Sequence, residues 1–486
     1  MLQLASQMQE VEINLPEPLA KPLGVSRALD LTLHFDPDFK RMEGNFGDYL
    51  ATDLRFNNSQ LTHGVVSFDR SVPVPEAGEL MLAGYLPTTD LNLWNPVVEL
   101  FMQQPQPTEN QWQPVFDLKF DYLNLASFKV ENIAAQIRLA EPLVHVDFTS
   151  NLADGILSLP KDKNLIPDVR LSRLSIPSQL IEEKVGQSGL DPRTFTAVDF
   201  SVDQLTVGDQ IWGALAFQLR PEISGAAFNS IVGDVFGLRP GLFDQEPDTE
   251  FFWEYDGQRY SSRLVGPVGV DNIGDLFSGL NVPTIADSKT GKMVFDLSWP
   301  DQPWKISKEN IVGDFQINLQ DGSFYTSTGG AGAALKLISL FNFANWLKRL
   351  QLDFSDVTSQ NLVYNDLKGT INFEKGVASL IDPLRMKMPS GRMDMAGNFD
   401  LVNEQADAQL VATLPVATNL PWVVALLGGV PAAAGVYLTS KLVEKQVDRL
   451  SSISYTLTGP FDDVEVAVNK IFAAELKASD QGLEQQ

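Results

Sequence analysis

Gly313-Asp314-Phe315-Gln316-Ile317-Asn318-Leu319-Gln320 sets the reading of the whole chain. Phe315, Ile317 and Leu319 alternate with Gln316, Asn318 and Gln320. A period of two marks a strand with one dry face and one wet face. Asp321-Gly322 reads as the turn that ends it. Gly329-Gly330-Ala331-Gly332 then opens an apolar helix, Ala333 to Leu350. Alternation returns in Leu367 to Phe373, Met393 to Leu401 and Ala406 to Leu414. A second apolar segment, Leu420 to Leu438, leads into a charged helix end at Lys441 to Leu450. Strands Ser452 to Thr458 and Val464 to Val468 close the chain. The pattern predicts a dry face handed from strand to strand, ending beside two apolar helices.

Toward the N-terminus the signal recurs at roughly ten-residue spacing, as in an all-β meander. Leu29, Leu31, Leu33 and Phe35 alternate with polar neighbours, as do Phe116, Leu118, Phe120 and Tyr122. Leu143 to Phe148, Phe195 to Val207, Trp212 to Leu219, Phe251 to Tyr260 and Met293 to Trp299 read as further strands. Asp90 to Met102, Ser178 to Val185, Asn229 to Phe236 and Asn272 to Leu280 read as short helices. No βαβ rhythm is present, which argues against a parallel α/β sheet. The expected fold is mainly β: a long, curved antiparallel sheet forming an elongated hydrophobic groove. Residues 1–300 form its body. Residues 301–486 form a C-terminal region with apolar helices at about 331–350 and 419–450.

Composition narrows the function. Hydrophobic residues make up 44% and charged residues 20%, which is the balance of a folded chain. Cysteine is absent, so disulfides, thiolate nucleophiles and cysteine metal sites are excluded. A formal charge of −26 argues against nucleic acid and against broad attraction to anionic lipid surfaces. Met1-Leu2-Gln3-Leu4-Ala5 carries neither a basic region nor a long apolar run, and reads as neither signal peptide nor anchor.

Several motifs imitate catalytic or nucleotide sites. Gly330-Ala331-Gly332-Ala333-Ala334-Leu335 approaches a dinucleotide fingerprint, but Leu335 stands where the third glycine belongs. Its preceding strand alternates with polar residues, whereas a Rossmann first strand is buried on both faces. Thr290-Gly291-Lys292 lacks the upstream glycine of a phosphate loop, and Gly186-Gln187-Ser188-Gly189 has the wrong spacing for a nucleophile elbow. The three histidines, His34, His63 and His145, sit in separate segments and read as solvated, with no metal site. No pair of carboxylates stands out as catalytic, and no cofactor is expected.

Asn14-Leu15-Pro16-Glu17-Pro18-Leu19 with Lys21-Pro22, Asp191-Pro192-Arg193 with Gly213-Ala214-Leu215, and Trp253 with Asp256-Gly257 form an ordered series. Leu297-Ser298-Trp299-Pro300, Gly313-Asp314-Phe315, Asp321-Gly322-Ser323-Phe324, Leu352-Asp353-Phe354-Ser355-Asp356 and Gly459-Pro460-Phe461-Asp462-Asp463 continue it. In that order they resemble the C-terminal portion of the YhdP family of AsmA-like proteins. The resemblance implies a periplasmic, bridge-like lipid transfer protein of Gram-negative bacteria, with phospholipid as its cargo. It implies an inner-membrane anchor upstream, which this chain lacks, and C-terminal helices that approach the inner leaflet of the outer membrane.

Physical reasoning fits such a conduit. Each exposed CH₂ of a lipid tail costs about 0.8 kcal/mol in water, so the apolar shelter must be continuous. The expected groove lining is Phe315, Ile317, Leu319, Ile371, Phe373, Met393, Met395 and Phe399. No charge occurs from Ala408 to Ser440, which is long enough for a membrane span. Pro415, Pro421, Pro431, Gly428, Gly429 and Gly435 favour instead a broken hairpin that contacts one leaflet or caps the groove. Leu340 and Trp346 of the first apolar helix, with Trp422, Leu426, Leu427 and Val436 of this second segment, are the expected membrane-proximal or capping residues. Two rival readings stand beside the conduit. One is a periplasmic scaffold with a dry, filled core; the other is a glycan hydrolase, for which no acid cluster is present.

Overall fold

The computed structural model describes residues 1–15, 20–35, 40–48, 50–57, 60–68, 73–75, 78–90, 112–125, 128–139, 142–178, 191–241, 247–279, 284–325, 361–389, 391–414, 451–461 and 463–471. They are mainly β-strand. The chain divides into two compact units: Met1–Glu182 with Ala197–Asp209, and Glu183–Thr196 with Gln210–Gln486.

Unit 1 holds β1 (Leu2–Ser6), β2 (Leu29–Phe35), β3 (Lys40–Phe46), β4 (Leu50–Asn57), β5 (Gln60–Ser67) and β6 (Glu79–Asp90). It continues with β7 (Gln113–Leu125), β8 (Phe128–Leu139), β9 (Leu143–Thr149), β10 (Ala153–Pro160), β11 (Asp168–Ile176) and β12 (Val198–Val207). Each strand pairs with the next in chain order.

The expectation of a purely antiparallel sheet is corrected here. β5–β6, β6–β7 and β11–β12 run parallel, so the sheet is mixed. A parallel neighbour requires the chain to return to the end at which the first strand began, which takes a dozen residues or so. The intervals from Ser67 to Glu79, Asp90 to Gln113 and Ile176 to Val198 supply that length. The helices expected at Asp90 to Met102 and Ser178 to Val185 fall almost wholly outside the described residues; Asp90 itself ends β6.

Unit 2 holds β13 (Gln210–Pro221), β14 (Gly225–Val235), β15 (Leu238–Pro240), β16 (Glu250–Tyr255), β17 (Tyr260–Val270), α1 (Ile273–Gly279), β18 (Ala286–Asp287) and β19 (Thr290–Trp299). There follow β20 (Val312–Tyr325), β21 (Asn361–Glu374), β22 (Val377–Met388), β23 (Gly391–Asp400), β24 (Gln405–Leu414), β25 (Ser451–Pro460) and β26 (Glu465–Ile471). From β19 to β26 consecutive long strands pair antiparallel. α1 lies within the helix expected at Asn272 to Leu280. The Asn272 side chain caps it, accepting a hydrogen bond from the Gly274 amide at 2.9 Å.

Three local expectations are overturned. Asn229 to Phe236, read as helical, lies mostly in β14. A bulge falls between Ala216 and Gln218 of the partner strand, and Ser230 takes φ 49°. The bulge breaks the period of two and leaves Phe228, Ile231 and Val235 at helix-like spacing. Asp321-Gly322 does not end a strand but lies inside β20, where Asp321 at φ 50° kinks the backbone. A side chain at Gly322 would strike the Asp287 carbonyl and the Tyr364 hydroxyl, so close packing explains this glycine. β22 escaped the sequence reading because Pro383 lies inside it; there the ladder shifts register and needs no donor from the proline. The helices expected at 331–350 and 419–450 lie outside the described residues. No helix among the described residues is long and apolar enough to cross a membrane.

Candidate functional site

Residues paired across neighbouring strands share a face, so the strand registers trace where apolar side chains meet. In unit 1 one row runs through every strand. It begins Leu4–Leu31–Gly44–Thr52–Val66 across β1 to β5. It continues Leu82–Phe116–Ile137–Val146 across β6 to β9. Leu157, Val169 and Phe200 complete it on β10 to β12. A second row beside it carries Leu118, Ala135, Phe148, Gly155, Leu171 and Val202.

No residue of the first row is ionisable. Its one polar member, Thr52, donates its hydroxyl to the Val65 carbonyl at 3.2 Å. At Gly44 the missing side chain leaves room for Leu31, whose methyl group lies over the glycine, so the floor stays apolar. Eleven steps between strands at about 4.8 Å give the lane a length on the order of 50 Å.

The lane is accessible. Apart from Gly44, every member of the first row is half-buried or exposed, and Leu4 is 51% exposed. The opposite face differs in chemistry. The neighbouring row there reads Thr32–Glu43–Asp53–Val65–Met81–Val115–Arg138–His145–Ser158–Asp168–Asp199. Arg41 grips Asp53 through two hydrogen bonds of 3.1 and 2.6 Å, and Arg55 adds a third at 3.1 Å. His34 lies 3.2 Å from Glu43. The histidines read as solvated are half-buried members of this ionic face. On β10, Asp154 is held below the ordinary carboxylate range, chiefly by its hydrogen bond from Arg173. An open cleft of about 700 Å³ on this side has Asp117, Gln136, Asp147, Arg170 and Asp203 in its wall beside Ala134 and Ile156, so its lining mixes charged and apolar side chains.

Unit 2 presents its apolar face in two sectors. Across β13 to β19 it is aromatic. Phe217, Phe228, Phe251 and Trp299 follow one another at centroid distances of 5.3, 5.8 and 6.0 Å. From β19 onward it is aliphatic and methionine-rich, and it is filled. Leu319, Leu367, Met386, Met393 and Ala412 form one register row, and none exceeds 2% exposure.

Each residue expected to line the groove occurs on this face. Phe315 opposes Ile371; Leu319 leads through its row to Met393; Phe373 and Phe399 both oppose Ala378. Ile317, Ile371, Met393, Met395 and Phe399 are buried in one cluster, with Phe315 and Phe373 packed against it. The sequence thus grouped these residues on one face, and the structure adds that this face is packed. The accessible lane lies in unit 1, from which the sequence reading chose no site residue. The alternation at Leu29 to Phe35, Phe116 to Phe120 and Leu143 to Phe148 was its signal. Leu340, Trp346, Trp422, Leu426, Leu427 and Val436 lie outside the described residues.

A family model described as YhdP protein matches residues 1–466. The chain belongs to the YhdP family. The resemblance carried by the ordered motifs is therefore borne out. The chain is also similar to an Escherichia coli (strain K12) protein named intermembrane phospholipid transporter YhdP, at 21% identity over 495 residues. That alignment covers 96% of this chain and 37% of the relative, so the chain spans little more than a third of that protein's length. No solved structure matches the chain. The YhdP match takes in all of unit 1 and its lane, and most of unit 2.

Proposed function

We propose that the chain acts, without catalysis, as part of a periplasmic conduit for phospholipid acyl chains between the inner and outer membranes. This role would support outer-membrane lipid homeostasis and barrier integrity. The observation that carries the reading is the unit 1 row: twelve strands, one register whose single polar side chain, Thr52, is hydrogen-bonded, no ionised group, and open access. An acyl chain lying across it exchanges water for hydrocarbon at each methylene, worth about 0.8 kcal/mol apiece. Because the lane is open along its side, a headgroup stays in water while the tail is sheltered. The E. coli relative's name as an intermembrane phospholipid transporter supports phospholipid as the cargo.

The packed face of unit 2, including Phe315, Ile317, Leu319, Ile371, Phe373, Met393, Met395 and Phe399, is proposed to line a sector that takes lipid only when its side chains part. The uncharged sequence beyond β24, from Pro415 to Ser440, with Trp422, Leu426, Leu427 and Val436, is proposed to contact the outer membrane's inner leaflet or to cap this sector. Leu340 and Trp346 would serve the neighbouring apolar segment in the same way. Anchoring of the full-length form to the inner membrane is proposed with it.

A photo-crosslinking amino acid tests the reading in cells. At Leu157 it should capture phospholipid, and at the adjacent wet-face Ser158 it should not. Equal capture at both positions, or none at Leu157, would overturn the lane. The filled core of unit 2 also favours a second reading, a non-catalytic scaffold for envelope proteins or glycans. In that case Leu157 would capture protein and no lipid.

A further inference from the structure

Two tyrosines are fully buried in the apolar cluster of unit 2, and their hydroxyls differ. Tyr364, 0% exposed, donates to the Asp287 carbonyl at 2.6 Å. Tyr455, 1% exposed, has no hydrogen-bond partner for its hydroxyl among the described residues. Burial alone pushes its phenol well above the ordinary value, so it stays protonated and is a donor without an acceptor. An unpaired buried hydroxyl is costly, and native cores satisfy nearly all such groups.

Its surroundings are unusual for a rigid core. Tyr455 stands on β25 opposite Leu410, which opposes Met395, which opposes Leu384. Five of the chain's ten methionines, Met293, Met386, Met388, Met393 and Met395, share this cluster. Methionine is unbranched and has three rotatable side-chain bonds, so it fills space without fixing it. The neighbouring strand β24, hydrogen-bonded between β23 and β25, contributes the small side chains Ala406, Ala408 and Ala412 on the same face. Long flexible residues beside short ones make an interior that can part around a slender apolar guest. The one missing partner, a hydrogen-bond acceptor, is what the carbonyl end of such a guest carries.

We propose that the methionine-rich interior of unit 2 is a seat for one acyl chain, with the Tyr455 hydroxyl donating to the acyl carbonyl oxygen. The carbonyl belongs either to a free fatty acid or to a lipid ester. The seat depends on the conduit reading only for where its ligand comes from.

The test uses the full, delipidated chain and its Tyr455→Phe variant, which keeps the ring and removes only the donor. Each is titrated with palmitic acid and, separately, with dipalmitoyl phosphatidylglycerol vesicles, and thermal midpoints are recorded without ligand. The expected result is about a tenfold weaker binding of at least one probe by the variant, equal to about 1.4 kcal/mol. Its midpoint should be unchanged or higher, because an unsatisfied polar group has been removed. A fall confined to palmitic acid identifies a free acid; a fall with the vesicles identifies the ester carbonyl. Unchanged affinity for both probes overturns the seat. So does a lowered midpoint, which would show that the hydroxyl serves the fold. Lipid capture by a crosslinker at Leu157, measured in the same variant, keeps failure of the seat distinct from failure of the lane.

Discussion

Replacing Ile137 with aspartate places one carboxylate near the middle of the unit 1 lane, between Phe116 and Val146. Aspartate is too short to turn its charge out of the row, so it keeps its hydration shell there. That shell denies shelter over roughly one strand spacing, about 4.8 Å. About four methylenes of a passing extended chain then stay wet, at about 0.8 kcal/mol each, or about 3.2 kcal/mol in all. If passage runs along this lane, the barrier rises by that amount and transfer slows about 200-fold. Dequenching of a fluorescent phospholipid moving between donor and acceptor vesicles measures the rate. Ala134→Asp is the control: the same new residue, three positions away, on the opposite face between Lys119 and Thr149. Both variants should fold, since Ile137 is only half-buried and its replacement forfeits about 1 kcal/mol of burial, while a carboxylate at position 134 faces a lysine. A rate unchanged in Ile137→Asp, or lowered equally in Ala134→Asp, would refute the argument that a row free of charge carries the chain.

Three further outcomes are expected. Asp394 is 1% exposed and lies 2.8 Å from both the Arg385 and Arg392 guanidinium groups, so Asp394→Ala removes the carboxylate that both arginines face. Because those arginines keep some solvent contact, chemical denaturation should show a loss of about 2–3 kcal/mol, below the range for a fully buried pair. Gly322→Ala forces a methyl group against Asp287 and Tyr364, and should lower stability by about 1–3 kcal/mol on the same measurement. The Asp154 carboxyl is depressed below 3.8 in the folded state, mainly by Arg173, so its stabilising contribution is complete above that pH and fades as pH falls through the folded value. Urea midpoints taken between about pH 5 and about pH 2 should therefore drop less in Asp154→Asn than in the natural chain.

Much of the fold was legible because the strand period is local. Phe315, Ile317 and Leu319 announce a face by themselves, and their partners Ile371 and Leu367 announce the matching one. Legibility failed where backbone irregularity broke the period. The bulge in the β13–β14 pairing made β14 look helical, and Pro383 hid β22 and with it Leu384, Met386 and Met388. The parallel pairings at β5–β6, β6–β7 and β11–β12 were hidden for another reason. A strand's own residues do not record the direction in which its neighbour runs. The Tyr455 hydroxyl gave no signal at all, since tyrosine is ordinary in a strand and only packing shows that its donor lacks a partner.

Alternation and motif order were enough to establish the strand-rich class, the dry and wet faces of its clearest strands, and membership of the YhdP family. Which dry face remains open was decided by tertiary structure alone. The same apolar pattern leads to an accessible lane in β1 to β12 and to a packed interior in β19 to β25, because accessibility depends on what comes to rest against a face. The side chains on that face do not encode it individually.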